Sequence, residues 1–134
     1  MLSASENQTN FLYESFPRER VERRPEKLVK RLFDKACALL KISITALEAR
    51  DTEAFHKASL HAIQIVFSLQ FVLERKDGDD LAESLFNTYS YIAASLLAAK
   101  NDKDQRKLLN IYESLHELRI AWDNMLNNSY TITQ

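Results

Sequence analysis

The sequence predicts an all-α fold: an antiparallel up-down-up-down four-helix bundle over residues 25–127, with an N-terminal arm over residues 1–24 and a polar tail over residues 128–134. Three observations carry this. One glycine and two prolines in 134 residues supply too few turn-formers for a tight-turned β architecture and no Gly-rich loop for phosphate. Four stretches of about 22–26 residues carry apolar side chains at helical spacing. The breaks between them are short, and short loops force neighbouring helices to run antiparallel.

Composition bounds the function. Hydrophobic residues make up 46% of the chain, enough for one self-sufficient core and too many for wholesale disorder. The net charge of −1 marks neither a nucleic-acid binder nor an acidic tail. The single cysteine, Cys37, allows no intrachain disulfide and fits a reducing compartment. No cationic-then-apolar leader opens the chain, and no apolar run approaches the ~20 residues that span a bilayer. A cytoplasmic protein, without membrane insertion, is expected.

The arm is polar, with Phe11, Leu12, Tyr13 and Phe16 as apolar islands and Pro17 near its end. It reads either as a frayed end or as a strap laying its aromatics into a groove. Seven basic residues lie between Arg18 and Arg31, interleaved with Glu19, Glu22 and Glu26. Mixed signs at this spacing make a solvated helix face.

The first helix opens at Pro25, where a missing N–H costs nothing, and runs to about Arg50. Val29, Leu32, Phe33, Ala36, Leu40, Ser43 and Leu47 form its core stripe, widened by Leu28, Leu39 and Ile42. Asp51-Thr52 ends it and caps the second helix. That helix, Glu53 to Lys76, is the informative one. Phe55, Ala58, Ala62, Ile65, Val66, Leu69, Val72 and Leu73 occupy one broad sector of the helical wheel. Leu60, Ile63, Phe67 and Phe71 occupy a second, on roughly the opposite side. A bundle helix needs one apolar face, so another part of the chain or a partner must cover the second. Gly78 is the expected turn residue after it.

The third helix spans about Asp79 to Lys100, opening on carboxylates that suit the positive end of the helix dipole. Leu81, Leu85, Tyr89, Ile92, Leu96 and Ala99 are its core positions, flanked by Ala82, Phe86, Ala93 and Leu97. Its other side carries the small residues Ser84, Thr88, Ser95 and Ala98, with Tyr91 among them. Asn101-Asp102 breaks the chain. The fourth helix runs from about Lys103 to Asn127 on a stripe of Leu108, Ile111, Tyr112, Leu115, Leu118, Trp122, Met125 and Leu126, with Trp122 expected as a core plug.

No catalytic or metal constellation emerges, and neither an enzyme nor a cofactor is expected. Glu113 and His116 make one Glu-x-x-His motif, half of a di-iron bundle site, and point away from the core stripe. His61 lacks the lysine three residues on that a histidine phosphotransfer helix wants; Gln64 stands there. Cys37 lies beside core positions and reads as a small buried hydrophobe. The functional signal is a surface.

The order of features resembles the FliS family of flagellar secretion chaperones. A Pro before a Leu-rich segment and a Leu-Tyr-Asp-Gly-Ala-like run is matched from Pro25 to Ala36, with Leu32-Phe33-Asp34-Lys35-Ala36 at its end. Ile65 to Glu74 resembles Ile-Ile-x-Glu-Leu-x-x-x-Leu-Asp. Ala82 to Tyr91 resembles Ala-x-Asn-Leu-x-x-Leu-Tyr-x-Tyr. Leu118-Arg119-Ile120-Ala121-Trp122 resembles Leu-Arg-x-Ala-Trp. Phe33, Lys35, Ser68, Ser84 and Thr88 depart from the pattern and mark a divergent member.

The resemblance implies an antiparallel bundle without catalysis. Its ligand would be the disordered C-terminal segment of flagellin, bound in the cytosol of a flagellated bacterium. The chaperone would keep that segment unpolymerised and deliver it to the flagellar type III export gate, with a co-chaperone as a further partner. The client would wrap the bundle and form short helices in apolar grooves, and the arm would cover part of that surface in the client's absence. The candidate partner-binding residues are Leu60, Ile63, Phe67 and Phe71, then Ser84, Thr88, Tyr91 and Ser95; the candidate arm residues are Tyr13 and Phe16. The competing reading is a homodimeric helical-bundle adaptor or scaffold with no export role.

Overall fold

The computed structural model describes the backbone of residues 25–73 and 78–133. Residues 1–24, with Tyr13 and Phe16, and the side chain of Leu126 lie outside what is described. Four helices follow in order: α1 (Pro25–Glu48), α2 (Thr52–Phe71), α3 (Asp80–Asp102) and α4 (Gln105–Thr133). Each packs against two others, α1 on α2 and α4, and α3 on α2 and α4. The fold is an all-α four-helix bundle. Contacts between α1 and α4 run in opposite order along the two helices. Trp122 Nε1 donates to the Glu26 carbonyl at 3.3 Å, Arg119 meets Asp34 at 3.5 Å, Lys41 sits over the Tyr112 ring, and Gln105 Nε2 donates to Glu48 Oε1 at 2.6 Å.

The core forms where the four stripes meet. Leu32, Phe33, Leu40, Phe55, Ile65, Val66, Leu69, Leu96, Leu108 and Leu115 are fully or almost fully buried. Phe33 of α1 and Tyr89 of α3 meet across the centre with ring centroids 6.4 Å apart. Burial pushes the Tyr89 hydroxyl up to about 12, so it stays neutral. The core stripes differ from expectation at Ile42, Leu81, Leu97, Trp122 and Met125; Leu97, expected to flank the core of α3, is exposed. Ile42 is exposed, since α2 covers α1 only as far as Leu39 and Ala46. Leu81 and Met125 share the direction of their stripes yet stand exposed, because they sit near helix ends that the facing helices do not cover. Trp122 is half-buried and walls a cleft instead of plugging the core.

Polar residues also occupy the interior. Ser43, Ser59 and Ser68 have no exposed surface. The Ser43 and Ser59 hydroxyls bond each other at 2.6 Å and pin α1 to α2. Ser68 Oγ donates to the Gln64 carbonyl at 3.0 Å. Removing one hydroxyl of the pair leaves the other buried without its partner. Ser43→Ala is expected to cost about 1–3 kcal/mol, and Ser43→Ala with Ser59→Ala to cost less than the single change. Urea midpoints of the three proteins check this.

The α1–α2 and α3–α4 connections use one device. Arg50 (φ 60°) and Lys103 (φ 53°) adopt the left-handed conformation that ends a helix. The next residue then closes the old helix with its N–H and caps the new one with its carboxylate. Asp51 N donates to the Ala46 carbonyl, and Asp51 Oδ1 accepts from Ala54 N at 3.1 Å. Asp104 N donates to the Ala99 carbonyl, and Asp104 Oδ1 accepts from Lys107 N at 3.1 Å. The break expected at Asn101-Asp102 therefore falls two residues later. A Cβ in this conformation is strained, so Arg50→Gly and Lys103→Gly are each expected to raise stability by about 0.5–1 kcal/mol, read as an upward shift in Tm.

Two further boundaries differ. Instead of reaching residue 76, α2 stops at Phe71. Leu73 N donates to the Gln70 carbonyl, and this tighter turn carries Leu73 into the α3–α4 cleft. At the other end, α4 continues through Thr133, so residues 128–133, expected as a tail, extend the last helix.

Candidate partner-binding surfaces

On α2 the sequence places residues every 100° or so around the axis, and the bundle covers more than half the circle. The nine residues buried there include Ile63. Ile63 is 7% exposed against 41% for Phe67. It belongs to the core, because its direction lies on the α3 side, next to Gln70. What remains outside is a stripe of Leu60, Phe67 and Phe71, all half-exposed, with Leu97 of α3 also exposed. Gln70, which sequence reasoning passed over, holds this stripe against α3. Its Nε2 donates to the Phe86 carbonyl at 3.0 Å and to Ser90 Oγ at 2.6 Å. The aromatic pair on the last turns of α2 is thus mounted on a fixed backbone.

The small-residue side of α3 forms a second surface. Tyr91 is 74% exposed, the most exposed large apolar side chain among the described residues. Asp80, Glu83, Ser84, Asn87, Thr88 and Tyr91 line an open shallow pocket of about 530 Å³. Thr88 Oγ1 donates to the Ser84 carbonyl at 2.9 Å, so that hydroxyl is satisfied within the helix. Ser95 is half-buried. Tyr91 lies about 100° further round α3 than Ser90. The α2 stripe and the Tyr91 surface are therefore neighbours and do not form one groove.

A third surface was not anticipated. Between α3 and α4 opens an apolar cleft of about 290 Å³, with Phe33 and Tyr89 at its floor and Leu85, Leu118, Ala121 and Trp122 as walls. Leu81, Met125, Leu73 and Asp79 complete its lining. The available signal was positional. The stripes of α3 and α4 both run on to Leu81 and Met125, near the ends of their helices.

The groups weighed as chemical candidates are otherwise engaged. Cys37 is buried, and burial pushes its thiol up, against an opposing pull from Arg119. His116 Nδ1 accepts from Arg119 at 2.8 Å, and its ring stacks on Tyr112 at 5.9 Å; Glu113 is exposed. Burial, helped by Lys35, holds His61 below the usual imidazole range. Among the described residues no helix is long and apolar enough to cross a membrane.

A family described as "Flagellar protein FliS" matches residues 18–129, which takes in all of α1, α2 and α3 and most of α4. A relative from Vibrio cholerae serotype O1, named flagellar secretion chaperone FliS, is 25% identical over 109 residues, covering 81% of this chain and 80% of its own. With the matched region extending over nearly the whole bundle, this chain belongs to the FliS family of flagellar proteins.

Proposed function

We propose that this protein is a cytosolic flagellar export chaperone. It binds the disordered C-terminal segment of flagellin, prevents premature polymerisation and delivers the client to the type III export gate. The observation that carries the reading is the stripe of Leu60, Phe67 and Phe71, apolar and uncovered on a helix whose other faces are packed. A contiguous apolar patch of this kind on a folded domain marks an interaction surface, and its spacing suits an amphipathic helix laid alongside α2. Membership of the FliS family supports a role in flagellar export.

A client that orders on binding spends part of the interaction energy on its own ordering. A long contact surface offsets that cost. Leu60, Phe67 and Phe71 provide one segment of it, with Ile63 supporting them from beneath. Ser84, Thr88, Tyr91 and Ser95 provide another. Tyr13 and Phe16 act as arm residues that compete with the client, and the export gate and a co-chaperone are further partners. The reading involves no catalysis.

The test is a flagellin polymerisation assay. One equivalent of the protein is expected to stop filament growth from monomeric flagellin, with excess flagellin polymerising normally. Growth at an unchanged rate with the chaperone in excess would contradict the proposal. A homodimer that forms through α2 and ignores flagellin would establish the adaptor reading instead.

A further inference from the structure

A polar point stands inside the apolar surface that α2 and α3 present to solvent. Gln70 lies about one turn on from Phe67 and next to Phe71, both half-exposed. Its partner Ser90 lies about two turns before the exposed Leu97 of α3. The orientation of the Gln70 amide is forced. The Phe86 carbonyl can only accept, so the group 3.0 Å from it is the NH2. The second N–H of that NH2 goes to Ser90 Oγ at 2.6 Å. Both donors of the side chain are thus spent on α3, and the acceptor Oε1 is left over. Among the described residues no group donates to Oε1. Nor is it enclosed: His56 Nδ1 is the only unpartnered side-chain N or O atom buried among the described residues. Gln70 Oε1 therefore opens to solvent, as a fixed acceptor beside two phenylalanines.

Resting on the chaperone reading above, we propose that Gln70 is a specificity-determining residue for the client. Its Oε1 accepts a hydrogen bond from one donor-bearing side chain of the bound segment and sets where along α2 that segment lies. Apolar contact is non-directional, so Leu60, Phe67 and Phe71 alone fix the register of a client loosely. A fixed acceptor among them fixes it sharply, as the few polar groups of an apolar site do. A client that lays an apolar group over Oε1 strips its water and gives nothing back, which costs affinity. A client that brings an N–H or O–H there replaces the lost bond. Beyond the first turn of a helix the backbone N–H groups are already bonded, so the donor is a side chain: Ser, Thr, Asn, Gln, Arg or Lys. The two bonds to α3 hold the Gln70 rotamer beforehand, and little side-chain freedom remains to be lost on binding.

A tie between α2 and α3 needs only the two N–H groups, so the experiment separates donors from acceptor. It is a double-mutant cycle read by titration calorimetry. One partner is the full-length protein, unmodified, as Gln70→Leu or as Ser90→Ala. Gln70→Leu removes donors and acceptor together; Ser90→Ala removes one tie and keeps Oε1. The other partner is a synthetic peptide of the C-terminal region of flagellin from the source organism. Each Ser, Thr, Asn, Gln, Arg and Lys of the peptide is replaced in turn by Ala.

Gln70→Leu is expected to weaken binding of the parent peptide about five- to tenfold, and Ser90→Ala less than about twofold. One peptide position is expected to lose about fivefold against the unmodified protein and against Ser90→Ala, and nothing further against Gln70→Leu. In the free protein, the Gln70 side-chain amide protons are expected to exchange with water more slowly than those of Gln64, which is exposed on the same helix. Losses that simply add at every peptide position, with binding intact, overturn the assignment and leave the chaperone reading standing. Equal losses from Ser90→Ala and Gln70→Leu overturn it too, and reduce Gln70 to a tie between α2 and α3. Gln70 amide protons that exchange as fast as those of Gln64 overturn the fixed orientation. An absence of binding by the folded, unmodified protein overturns the chaperone reading and the client-side donor with it.

Discussion

Phe67→Asp is expected to reduce affinity for the flagellin C-terminal segment at least ~100-fold, about 2.7 kcal/mol, while leaving the circular dichroism spectrum and Tm close to those of the unmodified protein. Truncating a central aromatic anchor costs about 2 kcal/mol or more. The aspartate adds the penalty of desolvating a carboxylate against an apolar client. The fold survives because Phe67 is already 41% exposed and absent from the core. Lys57→Asp, on the exposed part of the same helix, is the matched charge control. Retained affinity in Phe67→Asp would remove the α2 stripe from the binding surface.

The largest stability effect is expected at Phe55. It has no exposed surface, begins the buried sector of α2 and packs against the His56 ring with centroids 5.1 Å apart. Phe55→Ala deletes a ring from a close-packed site that can only partly collapse, at about 3–5 kcal/mol. Domains of this size hold roughly 5–15 kcal/mol, so the loss is a large share of the total. Tm is expected to fall by about 10–20 °C. A change below 1 kcal/mol in a urea titration would mean that the α1–α2 half of the core is packed differently.

Helical phase alone located the four helices and most of the core. Leu32, Phe33, Ala36 and Leu40, and Phe55, Ala62, Ile65 and Val66, fall on their stripes and are buried as expected. The wheel gives the direction of a side chain but not where its neighbour's cover ends. For that reason Ile42, Leu81 and Met125 read as core and are exposed, while Ile63 reads as surface and is buried. Helical phase placed Ser43 on the core stripe, but hydrophobicity is blind to Ser59 and Ser68, which enter the interior by satisfying their hydroxyls there or within the helix. The connection at Lys103 was misplaced because left-handed caps favour Gly or Asn, and Asn101 drew the break toward itself.

The candidate surface was legible to a similar degree. Leu60, Phe67 and Phe71, on the second face that the pattern marked on α2, are exposed, and so is Tyr91 on the small-residue side of α3. The α3–α4 cleft was hidden, because it arises from two stripes that individually look like core. Only the arrangement of helices shows that Leu85, Leu118 and Trp122 enclose space between them.

The most direct test of the central claim is isothermal titration of the full-length protein with the flagellin C-terminal peptide at several temperatures. The account predicts one-to-one binding with a strongly negative heat-capacity change, as a disordered segment folds onto apolar surface. An absence of heat at high micromolar peptide, with the protein folded, would contradict it.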